Sequence, residues 1–293
     1  MSALARALQT DQFLVTSELN PPKGVDLRGL YTKAAVLRDC VQAVNVTDSA
    51  GAHMALAPLA ACHLLLDHGI EPILQLTSRD RNRIALQGDI LGAAALGVCN
   101  LVVMGGDPPS NGDHPQAKPV FDLYASQIIA AAQALTEGRD LAGNALHGSP
   151  SLCIGAVVNP GAADPTDEIQ RMREKIAAGA TFMQTQAVYD ADAFARFSEA
   201  AGGFEVPVLA GIIPLKSVGM ARFLNDKVPG ITVPQHIVGE LDAARDKRAA
   251  AIDIAARTIR DVREFCRGVH IMAIGWEEII PDILATVGVA GDS

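Results

Sequence analysis

The 293-residue sequence has no GxGxxG after its first strand-like run and no GxxxxGK(S/T) anywhere, which disfavours a Rossmann dinucleotide site and a P-loop. It is short of basic residues. Lys and Arg total 24 against 33 Asp and Glu, and the net charge of -9 is spread along the chain. No basic surface therefore invites nucleic acid or anionic lipid. Two long stretches, 90–106 and 141–163, lack charge, but glycine, asparagine and proline interrupt them, and neither makes the uniformly apolar segment of about 20 residues that a membrane span needs. No basic-then-apolar leader opens the chain, and "MSALARALQTDQ" reads as a short ragged start. The five cysteines are odd in number and lie in apolar segments, which suits reduced core thiols in a cytoplasm and not a disulfide frame. Histidine gives no metal pattern. His53, His63 and His68 fall in or beside one helix, and His236 and His270 have no carboxylate or Cys partner at ligand spacing. No metal is expected, and no internal repeat is visible.

What is present is alternation. Eight short β-branched or apolar runs ("FLVTSEL", "AVNVTDS", "PILQLTS", "NLVVMGG", "LCIGAVV", "TFMQTQAV", "VPVLAGII", "GVHIMAIG") are separated by amphipathic segments. Such alternation implies parallel pairing with crossover helices. The count and the length favour a single (β/α)8 TIM barrel spanning 1–293 over an open doubly wound sheet. The segment 235–266 is long for one barrel helix and reads as one helix or two.

A barrel places its active site at the C-terminal ends of the strands. Those positions carry Glu18, Asp48, Thr77 with Arg79, Asp107, Gln186 and Lys216. Glu18 and Asp107 each follow an apolar run and precede prolines, in "SELNPP" and "GGDPP". An X-Pro segment is stiff and holds the preceding side chain toward the mouth. A carboxyl in an apolar mouth keeps its proton to higher pH than in water, and two carboxylates in different surroundings can split the roles of acid and charge stabiliser. The plainer alternative is that both accept hydrogen bonds in their turns. "SRDRNR", 78–83, is by default a charged helix start, but at a strand end it is also a phosphate candidate. Lys216 allows an aldolase-type Schiff base, although it lies in a loop after Pro214.

The ordered set "SELNPP", "VNVTDS", "LTSRDRNR", "GGDPP", "FDLYAS", "REKIAAGATFMQTQ", "GIIPLKS", "ARF" and "GVHIMAIGWEEI" resembles methylenetetrahydrofolate reductases, in their compact bacterial form without a regulatory domain. The resemblance runs from about Phe13 to Val287. It implies a flavoprotein oxidoreductase of one-carbon metabolism and methionine biosynthesis, binding FAD or FMN. Such an enzyme uses NAD(P)H to interconvert 5,10-methylenetetrahydrofolate and 5-methyltetrahydrofolate. Under it, Glu18 is the general acid and Asp107 faces flavin and pterin, stabilising the 5-iminium cation. Gln186 contacts folate or nicotinamide, Phe223 lies against the folate side chain, and Thr47, Gly106, Tyr124, Ala125, Ser126 and Lys175 fall on flavin positions. The chain departs from the family's usual pattern. Gln75 stands in place of a His, Gly105-Gly106 in place of an Arg before the aspartate, and "AVVNPG" in place of a Tyr and a His. Arg79, Asp80, Arg81 and Asn82 are the candidate substitutes for the lost phosphate contacts. The resemblance further implies a homo-oligomer, with a partner subunit in some relatives. Two alternatives stay open: direct transfer from NADH without flavin, and a folate-binding subunit that needs a partner for activity.

Overall fold

A computed structural model describes residues 1–289. Eight parallel strands close in sequence order into one barrel. They are β1 (Leu14–Leu19), β2 (Ala43–Val46), β3 (Pro72–Thr77), β4 (Asn100–Met104), β5 (Cys153–Val158), β6 (Phe182–Ala187), β7 (Val208–Ile212) and β8 (Gly268–Ile271). Each falls within one of the eight sequence runs. Helices α1 (Ala3–Ala7), α2 (Arg28–Leu37), α3 (Pro58–Leu66), α4 (Arg83–Ala95), α5 (Ala125–Thr136), α6 (Pro165–Ala177), α7 (Ala191–Ala200), α8 (Val218–Lys227), α9 (Gln235–Ala243), α10 (Lys247–Val262) and α11 (Ile280–Val287) complete the chain. The long segment resolves into two helices, α9 and α10, because Asp246 turns out of the helical region and caps α10 by accepting the Ala249 amide. No helix among the described residues is long and apolar enough to cross a membrane.

Strand residues pointing outward, such as Val44, Leu74, Leu101 and Ile271, pack under the helices in one large cluster. Those pointing inward are layered. At the bottom, Leu14, Ala43, Ile73, Val102, Cys153, Phe182 and Leu209 form an apolar cluster. Phe182 fills this end because Gly155 opposite has no side chain; a Cβ there would lie 2.3 Å from the ring. The N-terminus corrects the expectation of a ragged start. Ser2 caps α1 through the Ala5 amide, Glu71 accepts from the Ala3 amide at 3.0 Å, and Leu4 enters the bottom cluster with no exposed surface. A five-residue helix has no periodic signal of its own, and here tertiary packing supplies the order. Above the apolar layer the barrel turns polar: Thr16, Asn45, Gln184 and His270 are all buried. On β6 the pairing with β7 skips a step between Gln184 and Ala187, a bulge in which Thr185 accepts the Gly211 amide and donates to the Gln186 carbonyl. Bulges re-aim side chains, and this one lies where Gln184, Thr185 and Gln186 face the mouth.

Candidate active site

The C-terminal mouth opens into a cavity of about 460 Å³. Of the residues singled out in sequence, Glu18, Thr47, Arg79, Gly106, Asp107, Lys175 and Gln186 line it. Asp48, Gln75, Glu168, Gln184 and His270 line it too. Asp80, Arg81, Asn82, Tyr124, Ala125, Ser126 and Phe223 do not. Tyr124 is the residue before α5 and Phe223 lies on α8, and both side chains are exposed.

The long loop after β4, residues 105–122, crosses the neighbouring strand ends. Asp113 pairs with Lys23 and accepts the Met54 amide, while the Val120 and Phe121 amides bond the Arg79 and Ser78 carbonyls. Gly112 presses on the loop after β2, where an added Cβ would meet the Ala52 carbonyl oxygen at 1.8 Å. Gly106 has φ +88°, and the space its Cβ would take is already held by Thr77 and Arg79, at 3.0 Å and 3.3 Å. Its glycine identity thus serves the turn. Gly105, where an added Cβ would meet nothing within 4 Å, is the one that leaves open space.

The "SRDRNR" segment is internally neutralised. Arg79 donates to both Asp80 carboxylate oxygens and to the Ser49 and Asp48 carbonyls. Arg81 donates to Asp89 at 2.7 Å and to Asp48 at 2.7 Å and 3.3 Å, and Asp48 also takes the amide and hydroxyl of Thr77. Burial works against the charge of Arg81, and Asp48 with Asp89 more than offsets it, so the guanidinium stays above its ordinary range. Asn82 caps α4 through the Ile84 and Ala85 amides. Lys175, from the last turn of α6, reaches the Val157 carbonyl at 2.7 Å. Burial pulls its ammonium below the usual lysine range, an effect that Glu168 opposes. Lys216 donates to the Ile274 carbonyl at 2.5 Å and lies outside the cavity, which removes the geometric basis for a Schiff-base lysine there.

Chain spacing gives His270 no partner, but the barrel supplies one. Strand β8 pairs with β1, setting Thr16 beside His270 and bringing His270 Nε2 to 3.9 Å from Glu18 Oε2.

A closed eight-strand parallel barrel with carboxylates, carboxamides and a half-buried lysine at its C-terminal mouth defines a (β/α)8 scaffold of the enzymatic kind, with its site in the strand-end loops. The family model for methylenetetrahydrofolate reductase matches residues 3–288, and the chain belongs to that family. It is 24% identical over 245 residues to methylenetetrahydrofolate reductase 2 of Schizosaccharomyces pombe, covering 75% of this chain and 36% of that protein. It is 25% identical over 231 residues to the 5,10-methylenetetrahydrofolate reductase of Pectobacterium carotovorum, covering 76% of this chain and 72% of that one. The chain thus spans about a third of the fungal relative and most of the bacterial one. Among solved structures, a Clostridium thermocellum protein described as binding two copies of 5-methyl-5,6,7,8-tetrahydrofolic acid shares the fold. Its TM-score is 0.67 at 18% identity, over 99% of this chain and 98% of that one.

Proposed function

We propose that this chain interconverts 5,10-methylenetetrahydrofolate and 5-methyltetrahydrofolate in the barrel mouth, with NAD(P)H as the hydride source. The observation that carries the residue assignment is how the cavity's carboxylates are sorted. Asp48 is tied to Arg81 and Thr77. Glu168 accepts the Asn159 amide and sits in the field of Lys175. Asp107 is exposed and within the field of Arg79. Each has a cation beside it. Glu18 is mostly buried, with a side chain 17% exposed, and among the described residues its one ion-pair contact is His270. It is the carboxyl placed to carry a proton.

That sorting matches the reaction. Opening the five-membered ring of the methylene compound to a 5-iminium cation needs a proton at N10, and Glu18 donates it. The cation needs a fixed negative charge nearby, and Asp107 provides it. Gln186, turned into the mouth by the β6 bulge, is assigned to folate, and Phe223 to its outer part.

A flavin, FAD in preference to FMN, fits part of the mouth. Its ring is assigned to Thr47, Gly106, Asp107 and Lys175, where a half-buried ammonium suits a flat polar ring. Its phosphate is assigned to Tyr124, Ala125 and Ser126 at the start of α5, where Gln127 Oε1 takes the Tyr124 amide and the Ala125 and Ser126 amides have no intrahelical acceptor. Arg79, Asp80, Arg81 and Asn82 are reassigned from phosphate binding to holding the mouth together, because their polar groups are already paired. When bound, the flavin passes hydride between nicotinamide and folate.

The test is Glu18→Gln. NAD(P)H oxidation with an artificial acceptor such as menadione should stay near wild type, while methylenetetrahydrofolate reduction falls at least 10²-fold, as for a lost general acid. Equal loss in both assays would remove Glu18 from the acid role.

A further inference from the structure

The buried polar layer below Glu18 has a direction. Asn45 on β2 and Gln184 on β6 exchange carboxamide hydrogen bonds, Asn45 Nδ2 to Gln184 Oε1 at 2.7 Å and Gln184 Nε2 to Asn45 Oδ1 at 3.1 Å. Gln184 Nε2 also faces the Thr16 hydroxyl at 3.4 Å and His270 Nδ1 at 3.4 Å. Thr16 Oγ1 lies 3.0 Å from the same ring nitrogen. Nδ1 therefore has an amide N–H turned toward it and a hydroxyl in hydrogen-bond reach. Thr16 also has the Val269 carbonyl at 3.5 Å, so it is the Gln184 N–H that makes Nδ1 the acceptor, and in neutral imidazole this leaves the proton on Nε2. Nε2 is the atom that faces the Glu18 carboxyl.

We propose that His270 is a positioning residue for the proton donor: a neutral imidazole held by Thr16 and Gln184 so that its Nε2–H meets the charge left on Glu18 when the proton moves to folate. This rests on the reading of Glu18 as the general acid. One proton passes from the Glu18 carboxyl to the substrate nitrogen, and the resulting carboxylate draws the Nε2–H into a charge-assisted hydrogen bond. His270 loses no proton, and Glu18 is reprotonated from solvent through the open mouth. At 3.9 Å the contact is longer than a hydrogen bond, as suits the resting state, and it shortens when the charge forms. The titratable group facing the ring is Glu18 from β1. Strands β2 and β6 present Asn45 and Gln184, and Gly211 is its register partner on β7.

The experiment compares His270→Asn, His270→Gln and Thr16→Val in the purified holoenzyme. A Gln side chain keeps an N–H near the Nε2 position and Asn does not. Thr16→Val keeps the ring and removes the hydroxyl that helps hold it. Expected for His270→Asn is a loss of about tenfold or more in kcat for folate reduction, the scale of one hydrogen bond to a charged group. The alkaline fall-off of the pH–rate profile should also move to higher pH, because the carboxylate has lost its donor. The loss in folate reduction should exceed any loss in NAD(P)H oxidation by menadione, which needs no proton from Glu18. His270→Gln should recover most of the rate, and Thr16→Val should show the same displaced limb with a smaller loss. A His270→Asn profile superimposed on wild type overturns the inference, as does a His270→Gln variant no better than Asn. If His270→Asn does not fold, Thr16→Val decides by the same limb. A wild-type enzyme without folate turnover, or a fully active Glu18→Gln variant, would instead overturn the functional reading beneath it.

Discussion

Reassigning Arg81 from phosphate binding to structure makes a quantitative prediction. The side chains of Asp48 and Arg81 are 3% and 16% exposed, so little solvent screens the pair. Asp48→Ala removes the acceptor for two Arg81 hydrogens and for the Thr77 amide and hydroxyl. Taking one partner from a buried pair typically costs about 3–5 kcal/mol, and because Asp89 still holds Arg81 Nε the loss here should fall at the lower end of that range. Domain stabilities are of order 5–15 kcal/mol, so the loss should be plain in urea unfolding. Adding Arg81→Met to Asp48→Ala removes a cation left with Asp89 alone and should return about 1 kcal/mol or more, a coupling outside the roughly 0.5 kcal/mol scatter of independent sites. Urea curves for the four proteins of the cycle give the coupling, and flavin content with the Kd for NAD(P)H gives the functional half. Cofactor binding should hold in the double variant. Additive stabilities would refute the structural pair. A tenfold or larger loss of flavin affinity in every Arg81→Met protein, with stability restored, would return Arg81 to the phosphate.

Asp107→Asn should slow the folate half-reaction by roughly 10²-fold, the scale of one preorganised electrostatic group, and unchanged turnover would sink its role. Leu4→Ala empties the barrel bottom and should cost about 2–5 kcal/mol, seen as a lower unfolding midpoint, with kcat within about twofold because the mouth is at the other end. Lys175→Met tests the half-buried ammonium. Its folded pKa lies below the ordinary lysine value, so the unfolded chain binds more protons in the window just below 10.5 and stability rises with pH there. The variant's stability relative to wild type should therefore be highest near neutral pH and decline toward 10.5, while flavin binding weakens. A pH-independent difference would contradict the burial.

The strands were legible because a parallel sheet covered on both faces writes each strand as a short, nearly continuous apolar run. Glu18 and Asp107 were legible because they stand at strand ends just before prolines, and Gln186 because it falls at the end of an apolar run. The middle layer was not. Thr16, Asn45, Gln184 and His270 sit inside runs that otherwise read as core, and their partners come from strands far apart in sequence, Asn45 and Gln184 being 139 residues apart. A signal was present, since a polar side chain at an inward position of a doubly covered strand must find a hydrogen-bond partner across the barrel. The pairing of Arg81 was equally hidden: a sequence shows a cation near a helix start but not the carboxylate that neutralises it from the neighbouring strand.

The two ends of the barrel follow different rules. The bottom is filled by leucine, isoleucine, valine and phenylalanine, with Leu4 as the plug, and nothing there needs a partner. A barrel selected for stability alone could continue that packing upward. Burying a carboxamide, a hydroxyl or an imidazole is at best roughly neutral once all its hydrogen bonds are made, and costly otherwise. The middle layer makes most of those bonds among its own members and leaves His270 Nε2 toward the mouth, so the fold tolerates it at modest cost and the mouth above receives rigid polar support. Lys175 goes further, because burial opposes its charge and the Val157 carbonyl and nearby Glu168 only partly compensate. The balance between a satisfied polar layer and an incompletely compensated cation is what a site needs if it is to hold a proton donor steady at one wall and attract an electron-rich ring to the other.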